Sequence, residues 1–289
     1  MESEIKTVKI TDKQYPALLK KITGAPKLLY YRGVLPTNKE KCFAVVGTRR
    51  PSDYGQQATL QITKELLDAR VIIVSGMAPG IDTFAHQACV ERGSRTIAVL
   101  GTGLDEKSIY PKTNLELSRQ IIKHGGCLIS EYPPGTRATK FTFPARNRIV
   151  SALSLGVLVI EAKEKSGSLI TANLAIQQKK KLFAVPGSIY TLNSKGPNQL
   201  IKAGATLVES AQDIFDVLDI DPKKVLLKAP AAENAQEELI FDALQEESLY
   251  IDAIIKKTNL SAPIVGSTLA LMEISGKIRN LGGNTYSLN

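Results

Sequence analysis

Seven short apolar runs between residues 42 and 210 constrain this chain more than any other feature. They are CFAVVG (42–47), VIIVSG (71–76), TIAVLG (96–101), CLISE (127–131), GVLVIEA (156–162), LFAVPG (182–187) and TLVES (206–210). Helix-like stretches such as YGQQATLQITKELLDA, IDTFAHQACVERG and NLELSRQIIKHGG lie between them. A strand that is apolar at every position is buried on both faces, whereas a half-buried strand alternates. Strand–helix alternation at this spacing predicts a sheet covered by helices on both sides. The expected fold is a doubly wound, mostly parallel Rossmann-like α/β domain over residues 41–220.

The flanks differ in character. Residues 1–40 form a lead-in, with YPALLKKITGAPKLLYYRGVL suggesting a helix plus a short strand packed on the main domain. Residues 221–236 (DPKKVLLKAPAAENAQ) hold two prolines and an alanine–polar stretch, which suits a linker. From 237 to 289, three short helices are expected in EELIFDAL, YIDAIIKKTN and APIVGSTLALMEISG. A turn at Gly282, Gly283 and Asn284 then separates two β-like pieces, KIRN and TYSLN. Three helices closed by a glycine hairpin predict a small winged-helix-like domain.

Charge points to an anionic partner. The chain carries 37 Lys and Arg against 28 Asp and Glu, a formal net charge of +9. Residues 231–289 hold four basic and eight acidic residues, so that tail is −4 and residues 1–230 are left with +13. Clustered cations gain binding free energy by releasing counterions from phosphates. Cys42, Cys89 and Cys127 sit in or beside apolar runs without metal-type spacing and read as small buried hydrophobes. The opening MESEIKTVKI has acids and no hydrophobic centre, and no apolar stretch approaches roughly 18–20 residues. A soluble, cytoplasmic protein is therefore expected.

Ligands of an open parallel sheet bind outside the carboxyl ends of its strands. The residues there include Gly47, Gly76, Gly80, Gly101 and Gly103, a rim where backbone N–H groups can meet an anion. Ser166, Gly167, Ser168 and Thr171 form a capped helix start, a candidate phosphate cradle. Ordinary strand-to-helix turns also use such residues. Two basic clusters stand at this rim: Arg49 with Arg50, and Arg146 with Arg148 in KFTFPARNR (140–148). Cations interleaved with Phe141 and Phe143 suit single-stranded nucleic acid, which needs charge for its backbone and a flat face for its bases. From the residues alone, Phe143 reads first as a core aromatic. No G-x-G-x-x-G or G-x-x-x-x-G-K-[ST] segment follows any strand, so no nucleotide cofactor is expected. His86 and His124 lack metal-ligand spacing, and Asp82, Asp105, Glu131 and Glu161 read as structural acids, so neither a metal nor a catalytic constellation is expected.

The ordered strings VGTR (46–49), SGMAPGID (75–82), GTGLDEKSIYPKTN (101–114), SEYPPGT (130–136), FPARNRIVSALS (143–154), SGSLITA (166–172), PGSI (186–189) and NSKGPNQLIKAGATLV (193–208) resemble the serial motifs of the DNA-processing-protein-A (DprA/Smf) family. The resemblance runs from about residue 11 to 220, with a family-like winged helix after it. It implies a protein that is not an enzyme and that binds incoming single-stranded DNA during natural transformation. It further implies protection of that strand, loading of the RecA recombinase, and a homodimer paired through the Rossmann-like domain. The implied DNA pocket uses Arg49 or Arg50, Lys140, Phe143, Arg146, Asn147, Arg148 and the Ser166–Thr171 loop. The chain begins almost at the family's lead-in, so contacts made through the small helical N-terminal domain of some members are expected to be absent. The competing enzyme reading is a nucleotide phosphoribohydrolase on a related sheet. That would call for a P-G-G-x-G-T-x-x-E-type loop where this chain has P-G-S-I-Y.

Overall fold

The computed structural model describes residues 4–222, 234–244, 247–275 and 277–288. It divides into two compact units, Met1–Ile220 and Asp221–Asn289. Most of the expected linker at 221–236 lies outside the described residues.

The seven apolar runs become strands β3 (Cys42–Val46), β4 (Ile72–Ser75), β5 (Thr96–Leu100), β6 (Cys127–Ser130), β7 (Gly156–Val159), β8 (Lys181–Ala184) and β9 (Thr206–Leu207). Their mutual pairings are all parallel. Helices follow them: α2 (Asp53–Asp68), α3 (Ile81–Glu91), α4 (Leu115–Lys123), α5 (Thr142–Ala152), α6 (Gly167–Gln177), α7 (Lys195–Lys202) and α8 (Ala211–Leu218). Successive side chains of a strand point to opposite faces, and β3 shows both destinations. Cys42, Ala44 and Val46 join one core with Ile149 and Val150 of α5 and Ala172 and Ala175 of α6. Phe43 and Val45 join another with Ile62 and Leu66 of α2, Ile81 and Ala85 of α3, and Phe215 of α8. Both cores need apolar partners, which is why β3 has no polar position.

The lead-in differs from expectation. It supplies β1 (Lys6–Lys9), the single turn of α1 (Ala17–Lys20) and β2 (Leu28–Gly33). Instead of lying on the domain, β2 pairs antiparallel with β6 and β1 antiparallel with β2, completing the order β1-β2-β6-β5-β4-β3-β7-β8-β9. Strand order reverses between β3 and β7. There the chain leaves the sheet in opposite directions, opening a crevice at the carboxyl edge.

The second unit contains α9 (Ala235–Leu244), β10 (Leu249–Tyr250), α10 (Ile251–Thr258), α11 (Ala262–Ile274), β11 (Ile278–Asn280) and β12 (Thr285–Leu288). Three helices enclose Ile240, Ile254, Val265, Leu269 and Met272. The glycine turn brings β11 and β12 together, and the two-residue β10 adds a third strand in the order β10-β12-β11. This is a winged helix.

Candidate functional site

A cleft of about 670 Å³ lies at the switch point between β3 and β7. The β3 exit contributes Gly47, Thr48, Arg49 and Arg50, and the β4 exit contributes Gly76, Ala78 and Asp82. The α5 wall contributes Lys140, Phe143, Arg146, Asn147 and Val150. The β7 exit and α6 contribute Lys163, Lys165, Ser166, Gly167, Ser168, Ile170 and Thr171. Six cationic side chains and one acid, Asp82, thus line it.

The α5 wall follows helical phase. Positions 143, 146, 147 and 150 recur at three- and four-residue spacing and share one face. Arg148 is two residues from Arg146, about 200° around the axis, and points elsewhere. It does not line the cleft. Its Nη2 donates to Glu131 Oε2 at 2.6 Å, and its carbonyl accepts from Gln178 Nε2 at 3.1 Å. Arg146 and Arg148, expected as one basic cluster, thus stand on different faces of α5.

Arg146 also differs from a free rim cation. It is 4% exposed and forms the floor of the cleft. Its Nη1 donates to the carbonyl of Val99, and its Nε donates to Asn147 Oδ1 at 3.3 Å. Burial works against the Arg146 guanidinium, and the neighbouring Asp82 carboxylate supports its charge. Burial likewise raises the pKa of Asp82, opposed by Arg146, by the Ala78 N–H and by Ser75. A guanidinium stays protonated near neutral pH even when burial lowers its pKa. Gly76 leaves room for this pair, because a Cβ there would press on Asp82 Oδ2 and Arg146 Nη2 and displace their ends. His86 fixes the same strand exit from behind. Its Nε2–H donates to Gly76 O at 2.6 Å, and Nδ1 lies 2.9 Å from Thr96 Oγ1. Burial pushes the His86 pKa down to about 4, so the ring is neutral at physiological pH.

The upper wall is freer. Arg49 and Arg50 are exposed, and the Arg49 guanidinium sits 5.4 Å from the centroid of the Phe143 ring. Tyr110 also packs near that ring, with centroids 5.7 Å apart and a 46° tilt. Phe143 is half-buried, with one part of its ring in the cleft. The exposed Lys140 lines the mouth and places its ammonium 5.1 Å from the Phe141 ring. The backbone carrying Arg49 and Arg50 is anchored by Glu161. That carboxylate accepts from Ser52 N at 2.9 Å, Ser52 Oγ at 2.6 Å and Asn193 Nδ2 at 3.2 Å. Ser52 in turn caps α2, accepting from Gly55 N.

Opposite stands the start of α6. Ser166 is its N-cap, and the Ser166 hydroxyl accepts from Ser168 N at 3.4 Å. Gly167 has ordinary helical backbone, and a Cβ there would meet nothing within 4 Å. Neither conformation nor packing inside the protein calls for glycine at this position. Ser168 and Thr171 are buried beneath it, and Asn147 Nδ2 donates to Gly167 O at 3.3 Å, tying α5 to α6.

Of the glycine rim, Gly47 and Gly76 line the cleft. Gly80, at φ +82°, packs against the backbone of Thr48 and Arg49 and sets their path. Gly101 and Gly103 follow β5, two strands from the switch point. Gly101 makes room for the start of α5, and Gly103 donates to Thr136 O at 2.9 Å in a neighbouring turn. Lys163 and Lys165 went unread in the sequence, although they follow β7 at the same edge that singled out the other residues.

Residues 6–219 match the family model described as DNA recombination-mediator protein A, and residues 227–284 match the DprA winged helix domain. The chain belongs to the DprA/Smf family. It is 45% identical to the DNA processing protein DprA of Bacillus subtilis over 75% of this chain and 72% of that one. With the Smf protein of Escherichia coli it shares 35% identity over 95% of this chain and 75% of that one. The crystal structure of DprA from Streptococcus pneumoniae superposes at a TM-score of 0.69 with 44% identity, covering 74% of each chain. A structure of the Helicobacter pylori family member, which describes the single-stranded DNA binding mode of that protein, superposes at 0.66 with 32% identity, covering 76% of this chain and all of that one.

Proposed function

We propose that this protein binds single-stranded DNA without sequence preference through the switch-point cleft, acting in DNA processing during natural transformation and recombination. The observation that carries this is the cleft's mixture of cations and one flat ring, with a helix start opposite. Arg49, Arg50, Lys140, Lys163 and Lys165 supply mobile charge for phosphates, and Arg146 supplies fixed charge from below. The open approach to Gly167 lets a phosphate reach the first N–H groups of α6, where the helix dipole favours negative charge. Phe143 would receive a base on the ring face over which the exposed Arg49 side chain now lies, with Arg49 turning to a phosphate, and only an unpaired strand can present such a base. None of these contacts reads a base edge, so affinity comes from backbone and stacking.

Asp82 accepts from Ala78 N at 3.4 Å and supports the Arg146 charge in the cleft floor, and we read it as a binding-site and not a catalytic group. We extend the reading, on family membership, to a cytoplasmic homodimer paired through its Rossmann-like unit that protects the strand and delivers it to a RecA-type recombinase. Among the described residues no helix is long and apolar enough to cross a membrane.

Two substitutions test the cleft with opposite signatures. Lys140→Ala should weaken binding to all single strands alike and reduce the salt slope by roughly 0.7. Phe143→Ala should cost roughly 1–3 kcal/mol with little change in salt slope. Unchanged affinity in both variants, measured by fluorescence anisotropy, would remove the cleft from the binding surface.

A further inference from the structure

The loop after β8 presents its apolar residues to solvent. Ile189 is 76% exposed, Tyr190 92% and Leu192 57%. Scattered apolar residues on a surface need no explanation, but three within four positions form a patch. The base of the loop is firmly tied. Asn198 Nδ2 donates to Gly187 O at 2.8 Å, and Gly187 N donates to Asn198 Oδ1 at 3.2 Å. Tyr54 Oη donates to Pro186 O at 2.6 Å, and Ala162 N donates to Asn193 O at 2.7 Å. An anchored loop with an apolar tip has its binding geometry set in advance.

The position of the patch narrows its occupant. Asn193 Nδ2 donates to Arg50 O at 3.1 Å, so the loop abuts the backbone of a cleft cation. On the β7 side, Lys195 approaches Glu164 at 3.7 Å, between Lys163 and Lys165 of the cleft wall. The loop that carries the patch is therefore anchored on the backbone of Arg50 after β3 and of Ala162 after β7, the two strand exits that lead into the cleft walls. An exposed ring on a loop anchored next to a cationic cleft suits a base whose neighbouring phosphates the cleft holds.

We propose that Tyr190, with Ile189 and Leu192, forms a second stacking platform that carries the same single strand beyond the cleft, past the carboxyl end of β8. This inference rests on single-strand binding in the cleft and adds the direction in which the strand leaves it. Arg50 stands at the junction, able to serve phosphates on both sides.

Strand length separates the two claims. Affinities of wild type, Tyr190→Ala, Tyr190→Phe and Lys140→Ala would be measured on oligo-dT of roughly 4 and 16 nucleotides, the span of site sizes for single-strand modules. Tyr190→Ala is expected to bind the short strand as wild type does and to lose roughly fivefold or more on the long one. Tyr190→Phe should restore the long-strand affinity, because the ring and not the hydroxyl stacks. Placing single abasic sites along the long strand should reveal one position whose loss weakens wild type and leaves Tyr190→Ala unaffected. If Tyr190→Ala binds both lengths like wild type while Lys140→Ala is impaired, the platform is overturned and the cleft stands. If wild type binds neither strand, both fall together. A change in oligomeric state of Tyr190→Ala by sedimentation, with no strand-length effect, would assign the patch to a second copy of the chain and overturn the platform.

Discussion

Lys140, Arg146 and Arg148 lie within nine residues and carry the same formal charge, yet the fold gives them three different tasks. Lys140 is exposed at the cleft mouth, Arg146 is buried beside Asp82, and Arg148 is paired with Glu131 off the cleft. Arg148→Ala should therefore lower the melting temperature and leave single-strand affinity at the wild-type value. Loss of affinity without loss of stability would show that Arg148 reaches the DNA after all. His86 makes a prediction about pH. Its folded pKa of about 4 lies below the value of about 6.5 expected in the unfolded chain. Between those values the unfolded chain holds the extra proton, so stability rises with pH across the window and is complete above about pH 6.5. The fully buried ring sets a scale of about 3 kcal/mol for the change. Urea unfolding between pH 4 and 7 should show this rise, and His86→Gln should flatten it. An equally steep profile in the variant would move the effect to other groups.

Among the elements, the start of α6 makes the sharpest demand. Gly167 is neither strained nor crowded, so Gly167→Ala should keep or slightly raise the melting temperature, since alanine favours a helix over glycine. The added methyl would stand where a phosphate must approach, so the same variant should bind single strands more weakly. A variant that binds normally would take the phosphate away from this helix start. The elements also show what the sequence made legible. Strands buried on both faces announce themselves, because every position of CFAVV or IIVS must be apolar. The strands β1 and β2 do not, since KTVK buries only Val8 and LLYYRG is mostly half-buried. Short runs with one weakly buried face look like a lead-in. At the site, glycines and basic residues after strands marked the edge at which the cleft lies. Helical phase was the signal left unused: it selects 143, 146, 147 and 150 and rejects 148. Gly101 and Gly103 carry the same local signature as Gly76, and strand order alone separates them, which the sequence does not display.

At the scale of the whole molecule, charge and fold divide together. The Rossmann-like unit holds the basic excess and the cleft, whereas residues 231–289 are −4. In the winged helix, α11 has the sequence APIVGSTLALMEI, with no lysine or arginine, and exposes Leu271 and Ile274. A helix that reads DNA normally brings cations to the phosphates, so a role in contacting protein suits this unit better. A chain ending at residue 220 should therefore keep the single-strand affinity of the full chain; a large loss would place DNA contacts in the winged helix. The central claim, that an unpaired strand is held by phosphates and one stacked ring, has a direct test. Fluorescence anisotropy would compare labelled oligo-dT strands, mixed-sequence single strands and the corresponding duplexes across a salt series. The account predicts preference for single strands, little dependence on sequence, and a slope of log affinity against log salt of roughly −2 to −3.5, as three to five phosphate contacts require. Equal or tighter binding of duplex, or no binding of either form at low salt, would contradict it.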